Sequence, residues 1–313
     1  MQAVSGRRRH RALRLAALVL GTAVVSAATK GPDAGGYTAS DGVVYSMVDI
    51  SGSGGGISVL AGVDDGAVPL VVPFPFRFYG RTYTIVCAST NGALYFVESA
   101  DACGGLEDFG NADLTSAPTV RDLPAVLPLW SDLTFDAPGA GAVFYQTVGA
   151  PGDRRFVVQW KDAYPQGSPN PVTFQVLLSE TTGAVLFQYQ TVALGAGNPA
   201  SQGRQATVGI RNAQGVATQQ QIAWSFQAPV LDDATALAFS QAVSRVLGDV
   251  DGDGDVTCAD ATIVRNALGT RFGQPGFDAR ADLNSDGRIT GLDLSTIMKL
   301  KPNVAAECAQ SSP

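Results

Sequence analysis

Aspartates recur at alternate positions in two stretches of this chain, which is the spacing a hard divalent cation needs. The first stretch reads Asp249-Val250-Asp251-Gly252-Asp253-Gly254-Asp255-Val256-Thr257-Cys258-Ala259-Asp260. Thirty-three residues on, the second reads Asp282-Leu283-Asn284-Ser285-Asp286-Gly287-Arg288-Ile289-Thr290-Gly291-Leu292-Asp293, and the two register without a gap. Calcium takes six to eight oxygens, and alternate positions of a tight twelve-residue loop converge on one centre. Loop one offers Asp249, Asp251, Asp253, Asp255, Thr257 and Asp260 as ligands; loop two offers Asp282, Asn284, Asp286, Arg288, Thr290 and Asp293. Position 7 gives its backbone carbonyl, so Asp255 and Arg288 can differ there. Gly254 and Gly287 allow the bend at position 6, and Val256 and Ile289 at position 8 face inward and can pair between the loops. The expected cofactor is calcium, two ions per chain.

Each loop must be held by a helix that follows it. Ala261, Val264 and Leu268 make one apolar face, and Leu294, Ile297 and Met298 another, at helical spacing. No matching helix precedes either loop. Two loop-then-helix repeats, Asp rather than Glu at position 12 (Asp260 and Asp293), and the spacer Phe277-Asp278-Ala279-Arg280-Ala281 together resemble the type I dockerin over residues 247–302. That resemblance implies a docking module for cohesin domains on scaffolding proteins, which often attaches polysaccharide-degrading enzymes. The positions that usually read the cohesin are 10 and 11 of each loop. Here they are Cys258-Ala259 and Gly291-Leu292 instead of a hydroxyl-bearing pair.

Four cysteines are present, Cys87, Cys103, Cys258 and Cys308, and an even count in an exported chain reads as disulfides. Of the three connectivities, Cys87–Cys103 with Cys258–Cys308 keeps each pair within one domain. Closing a loop of about 50 residues with the second pair contributes about 4 kcal/mol in the chain-entropy account.

Export is read from the N-terminus. Arg7, Arg8, Arg9, Arg11 and Arg14 precede an apolar run from Leu15 to Val25 and small residues at Ser26-Ala27-Ala28. This is the pattern of a signal peptide over residues 1–27, and the run is shorter than the roughly twenty apolar residues a membrane span takes. Without that segment the chain has 16 basic against 28 acidic residues. Such a balance repels nucleic acid and anionic lipid and suits cations. The only histidine, His10, lies within the segment. A mature chain without histidine cannot build a Ser-His-Asp triad, a Cys-His pair or a His-ligated zinc site.

Between these ends the texture is β. Phe156-Val157-Val158-Gln159-Trp160-Lys161 and Val172-Thr173-Phe174-Gln175-Val176-Leu177-Leu178 alternate. The run Ala184–Tyr189 follows the second across the turn Glu180-Thr181-Thr182-Gly183, and Val143–Thr147 and Ala206–Arg211 are further short strands. Closely spaced short strands with no helical period between them predict an antiparallel sandwich. Phe74, Phe76, Phe78, Trp130, Trp160 and Phe174 fall where core residues fall, and Asn91-Gly92 reads as a tight turn. The ordered fragments Phe74-Pro75-Phe76-Arg77-Phe78-Tyr79-Gly80, Ser89–Phe96, Leu129-Trp130-Ser131-Asp132-Leu133, Val157–Trp160 and Thr173–Leu178 are similar to the nidogen-like extracellular module over about residues 68–212. The resemblance implies a β module of adhesion or matrix proteins and carries no catalytic residues.

The sequence therefore predicts a mainly β protein: a signal peptide (1–27), a nidogen-like antiparallel β-sandwich (28–243) and a small α-helical duplicated calcium-loop domain (247–308). The expected function is a secreted, non-catalytic binding or adhesion protein docked to a cohesin-like protein or surface scaffold, with no nucleic-acid partner and no membrane after signal removal. The alternative is a polysaccharide-degrading or carbohydrate-binding component, which as an enzyme would be a glycoside hydrolase. That chemistry needs two flanking carboxylates. Before the loops the glutamates are Glu98, Glu107 and Glu180, with Asp132 and Asp162 among the aspartates. No catalytic residue is assigned.

Overall fold

Alternation along Arg155–Pro165 sends Phe156, Val158 and Trp160 to one side, and all three are buried. The computed structural model describes residues 27–116, 122–241, 247–251, 255–271, 274, 276–278, 280–284, 286–300 and 308. The expected signal segment falls outside the described residues, except Ala27.

The strands are β1 (Thr29–Lys30), β2 (Tyr37–Ser40), β3 (Ile57–Val59), β4 (Ala67–Phe78) and β5 (Arg81–Ser89). Then come β6 (Leu94–Val97), β7 (Ala125–Trp130), β8 (Leu133–Thr134), β9 (Ala142–Val148) and β10 (Arg155–Pro165). The series ends with β11 (Val172–Ser179), β12 (Val185–Thr191), β13 (Thr207–Arg211), β14 (Gln221–Phe226) and β15 (Thr235–Gln241). One antiparallel sheet runs β1-β2-β15-β12-β11-β10-β9-β3, with β8 paired to β10; the other runs β14-β13-β7-β6-β5-β4. The expected antiparallel sandwich is what forms, followed by a small helical region.

The two inner faces share one core, which holds all the aromatics expected there except Trp130. Trp130 packs instead in a separate buried cluster with Cys87, Cys103, Leu106 and Leu114. Two polar tips bridge the sheets. The Trp160 indole N–H donates to the Ser89 carbonyl at 2.7 Å, and the Tyr189 hydroxyl to the Pro128 carbonyl at 2.8 Å. A large aromatic can be buried when its polar end finds such a partner. On β4, Leu70, Val72, Phe74, Phe76 and Phe78 turn inward while Pro69, Pro73 and Pro75 turn out. Pairing with β5 breaks between Val71 and Phe76, where two of these prolines sit on an edge strand that tolerates a missing N–H.

Both outer faces are also covered. Over the six-stranded sheet lies the segment after β6, tied down by a disulfide from Cys87 on β5 to Cys103. Over the other sheet lies the stretch 46–50. Here Gln159, Gln175 and Gln188 stand side by side on β10, β11 and β12, each fully buried. Gln188 Oε1 accepts from Ser46 N at 2.9 Å, Gln175 Nε2 donates to Val48 O at 3.2 Å, and Gln159 Oε1 accepts from Ile50 N at 2.9 Å. The glutamine row satisfies the backbone of an extended strap laid across three strands, as buried peptide groups require.

Asn91 is not the positive-φ residue of its turn. Gly92 takes that role (φ 72°), and a side chain there would collide with the Leu129 carbonyl. Asn91 is instead a buried cross-link. Its Nδ2 donates to Asp65 Oδ1 and the Glu107 carbonyl, both at 2.7 Å, and its Oδ1 accepts from Leu133 N at 2.8 Å.

The C-terminal region has its own small core. A four-residue helix, α1 (Gly215–Thr218), belongs to the sandwich; α2 (Cys258–Ala267) and α3 (Gly291–Leu300) follow the two acidic loops as expected. Ala261, Val264 and Ala267 of α2 pack with Ile297, Ala281, Val250, Val256 and Ile289. Leu268 does not share that face: it caps α2 with non-helical backbone and is exposed, so Ala267 takes the place expected of it. The Cys258–Cys308 disulfide closes the start of α2 onto residue 308.

Candidate metal centres

Loop one is organised from its last residue. Asp260 sits in the first turn of α2 and is fully buried. Its Oδ1 accepts from Val250 N at 2.6 Å and Asp251 N at 2.9 Å, and its Oδ2 accepts from Thr257 N at 2.7 Å. Thr257 caps the helix in return, its Oγ1 accepting from Ala259 N at 3.1 Å. These bonds fold the loop's beginning back against its end. As a result oxygens of Asp249, Asp251 and Asp260 lie within 4.8 Å of one another. Three carboxylates that close repel unless a cation joins them.

Loop two repeats the device. Asp293 is fully buried; its Oδ1 accepts from Leu283 N at 2.9 Å and Asn284 N at 3.4 Å, and its Oδ2 from Thr290 N at 2.8 Å. Asp282 accepts from Asp286 N at 3.1 Å and Gly287 N at 2.8 Å, and Asp286 from Arg288 N at 2.9 Å. Gly287, at position 6, has φ 78°, the bend expected of it. Its oxygen set is poorer in charge, with Asn284 where loop one has Asp251. Among the described residues only loop one draws three carboxylates together. Asp253 and Gly254 lie outside the described residues, and Asp255 is described and exposed.

The donor set is all oxygen and rich in carboxylate. That fits calcium, which takes six to eight oxygens, better than zinc, whose structural sites are built from cysteine and histidine. The side chains of Val256 and Ile289 share one buried cluster. The backbone of Ile289, however, pairs outside the loops, accepting from Gly269 N at 2.8 Å and donating to Thr270 O at 3.0 Å. The segment leaving α2 thus takes the partner role expected of loop one. In the spacer, burial pushes the Asp278 carboxyl up, but Arg280 at 2.8 Å outweighs it and holds the group below its ordinary value.

Two glutamates of the sandwich, Glu98 and Glu180, are held in ion pairs. Glu180 receives Arg154 Nη2 at 2.6 Å and Nε at 2.9 Å, along with the N–H groups of Gly152 and Arg154. Glu98 pairs with Arg81 at the surface, and at Glu107 it is the backbone carbonyl, not the carboxylate, that accepts from Asn91 Nδ2. Partial burial raises the Asp132 carboxyl, with Asp65 and Asp64 adding to the shift.

One contact near the loops lay beyond sequence reasoning. Arg77 of β4 donates through Nη1 to the Asp251 carbonyl at 2.5 Å and lies 3.9 Å from Asp251 Oδ1. No sequence signal links residues 174 positions apart.

A family model described as NIDO related matches residues 37–246, and one described as Dockerin type I domain matches residues 247–300. No curated protein and no solved structure matches the chain.

Proposed function

The chain belongs to the NIDO-related family and carries a type I dockerin domain at residues 247–300, and from that premise we propose that it is a secreted, non-catalytic binding protein docked through its calcium-loaded tail. Type I dockerins bind calcium and dock on cohesins, so calcium and a cohesin-like scaffold partner come with the domain. The finer reading assigns two ions. One is held by Asp249, Asp251, Asp253, the Asp255 carbonyl, Thr257 and Asp260. The other is held by Asp282, Asn284, Asp286, the Arg288 carbonyl, Thr290 and Asp293. Residues 1–27 are the signal peptide, 28–243 the β module and 247–308 the docking module.

The observation that carries this reading is the shared wiring of Asp260 and Asp293. Both are fully buried, and each takes the backbone N–H groups of loop positions 2, 3 and 9. The chain thereby turns each loop on itself, and in loop one this brings the oxygens of Asp249, Asp251 and Asp260 within 4.8 Å of one another. Bound calcium would offset the repulsion among such closely placed carboxylates. An extracellular setting is supported by two disulfides that use all four cysteines, and no helix among the described residues is long and apolar enough to cross a membrane.

A pull-down with the full chain as bait, in calcium and in chelator, tests the proposal. A cohesin-bearing protein should be retained in calcium and lost in chelator. Equal retention in both would contradict it.

A further inference from the structure

Arg77 stands on the outward side of β4, the side of Pro73 and Pro75, and reaches loop one. Its guanidinium bonds the carbonyl of Asp251 and lies 3.9 Å from one carboxylate oxygen of the same residue. Asp251 is position 3 of the loop and one of the three carboxylates drawn within 4.8 Å of one another. A single positive charge from the β module therefore shares a carboxylate with the point where a divalent cation would sit.

We infer that Arg77 is a positioning residue that docks loop one on the β module and lowers the calcium affinity of that loop. The inference rests on the reading of the loop as a calcium site. Without the ion, the guanidinium offsets part of the repulsion among Asp249, Asp251 and Asp260. A calcium ion approaching the same oxygens meets a like charge, and part of its attraction is already spent. The side chains of Arg77 and Asp251 are 31% and 25% exposed, so water screens the effect and keeps it modest. Coupling between two ligands of one group is reciprocal, so calcium loosens the Arg77 contact by the factor by which Arg77 weakens calcium. Loop one has five aspartates against three in loop two, and Arg77 moderates the loop with the larger charge.

The test is calcium calorimetry on the full chain carrying Asp282→Ala, which leaves loop one to report alone. Adding Arg77→Gln should tighten calcium binding about fivefold, the low end of ordinary site-to-site coupling. Arg77→Lys, which keeps the charge, should leave the affinity near that of the Arg77 chain. A purely structural role would instead weaken binding in Arg77→Gln, and unchanged or weaker binding overturns the inference. Calcium failing to bind the Asp282→Ala chain with Arg77 intact would overturn the calcium reading of the loop itself. If Arg77→Gln does not fold, the Arg77 Nε–H resonance decides in the full chain: it should shift on saturation with calcium, and a resonance that stays put overturns the inference.

Discussion

Thr257 and Asp260 hold each other across the first turn of α2: the Thr257 N–H donates to Asp260 Oδ2 at 2.7 Å while the Thr257 hydroxyl oxygen accepts from Ala259 N at 3.1 Å. The same carboxylate gathers Val250 and Asp251 through its other oxygen. Helix cap and candidate ligand are therefore one group. Anything that loosens the start of α2 should loosen the loop.

Thr257→Ala removes the cap and should cost about 1 kcal/mol of stability in the docking module. It should also raise the calcium dissociation constant of loop one, because the Thr257 hydroxyl is itself a candidate ligand and its 3.3 Å bond to Asp260 Oδ2 is lost, although the backbone N–H bond to Asp260 stays. Chemical denaturation and calorimetry of the full chain measure the two effects. A cap lost with unchanged calcium affinity would separate the two roles.

The glutamine row predicts a second cost. Gln159→Leu keeps the bulk of the side chain but leaves the Ile50 N–H without its acceptor under the strap. A buried donor left unpaired costs about 1–3 kcal/mol. The midpoint of unfolding should fall accordingly, whereas Lys161→Leu, two residues along the same strand and partly exposed, should change stability little.

Much of this architecture could be read from the sequence, and the limits have physical causes. Strands β10, β11 and β12 alternate plainly, so their inner faces were legible. Their outer faces were not, because Gln159, Gln175 and Gln188 alternate in the same way whether water or a strap lies over them. Both acidic loops were legible because a cation dictates residue type at fixed spacing. Leu268 was misassigned because helical spacing continues on paper past the point where the backbone turns at the end of α2. The pairing of Ile289 with Gly269 and Thr270 was hidden because backbone partners leave no mark on side-chain type. Both disulfides follow from grouping the cysteines by domain.

Glu180 predicts the acid limb. Its hydrogen bond and ion pair with Arg154 hold the carboxyl below its ordinary 4.5, against a smaller opposing effect of burial. A depressed carboxylate pKa contributes stability that is complete above the unfolded value and fades as pH falls through the folded one. Glu180→Gln should therefore destabilise the sandwich at pH 7, with the difference from the native chain starting to close as pH falls below the ordinary value of 4.5. Melting temperature against pH measures it. A gap that stays constant down to pH 3 would contradict the ion-pair assignment.

The Cys87–Cys103 disulfide closes a 16-residue separation over the six-stranded sheet. In the chain-entropy account such a loop contributes about 3 kcal/mol. Replacing both cysteines with alanine should lower the unfolding midpoint. It should also raise hydrogen exchange around Leu106 and Leu114, which pack in the same cluster. Exchange unchanged there would mean that packing alone holds the cover.

The central claim is that the two registered loops bind calcium. Ligand binding to the folded state alone stabilises by about 2.7 kcal/mol per site at a hundredfold excess over the dissociation constant. Two such sites are comparable to the whole stability of a module this small. Loop two, with Asn284 neutral and Arg288 nearby, should be the weaker site. Calorimetric titration of the full chain with calcium, alongside Asp249→Ala and Asp282→Ala, tests the claim most directly. The account predicts two ions per chain, one site lost in each variant, and a docking-module melt that collapses in chelator. A stoichiometry of zero, or a melt indifferent to chelator, would contradict it.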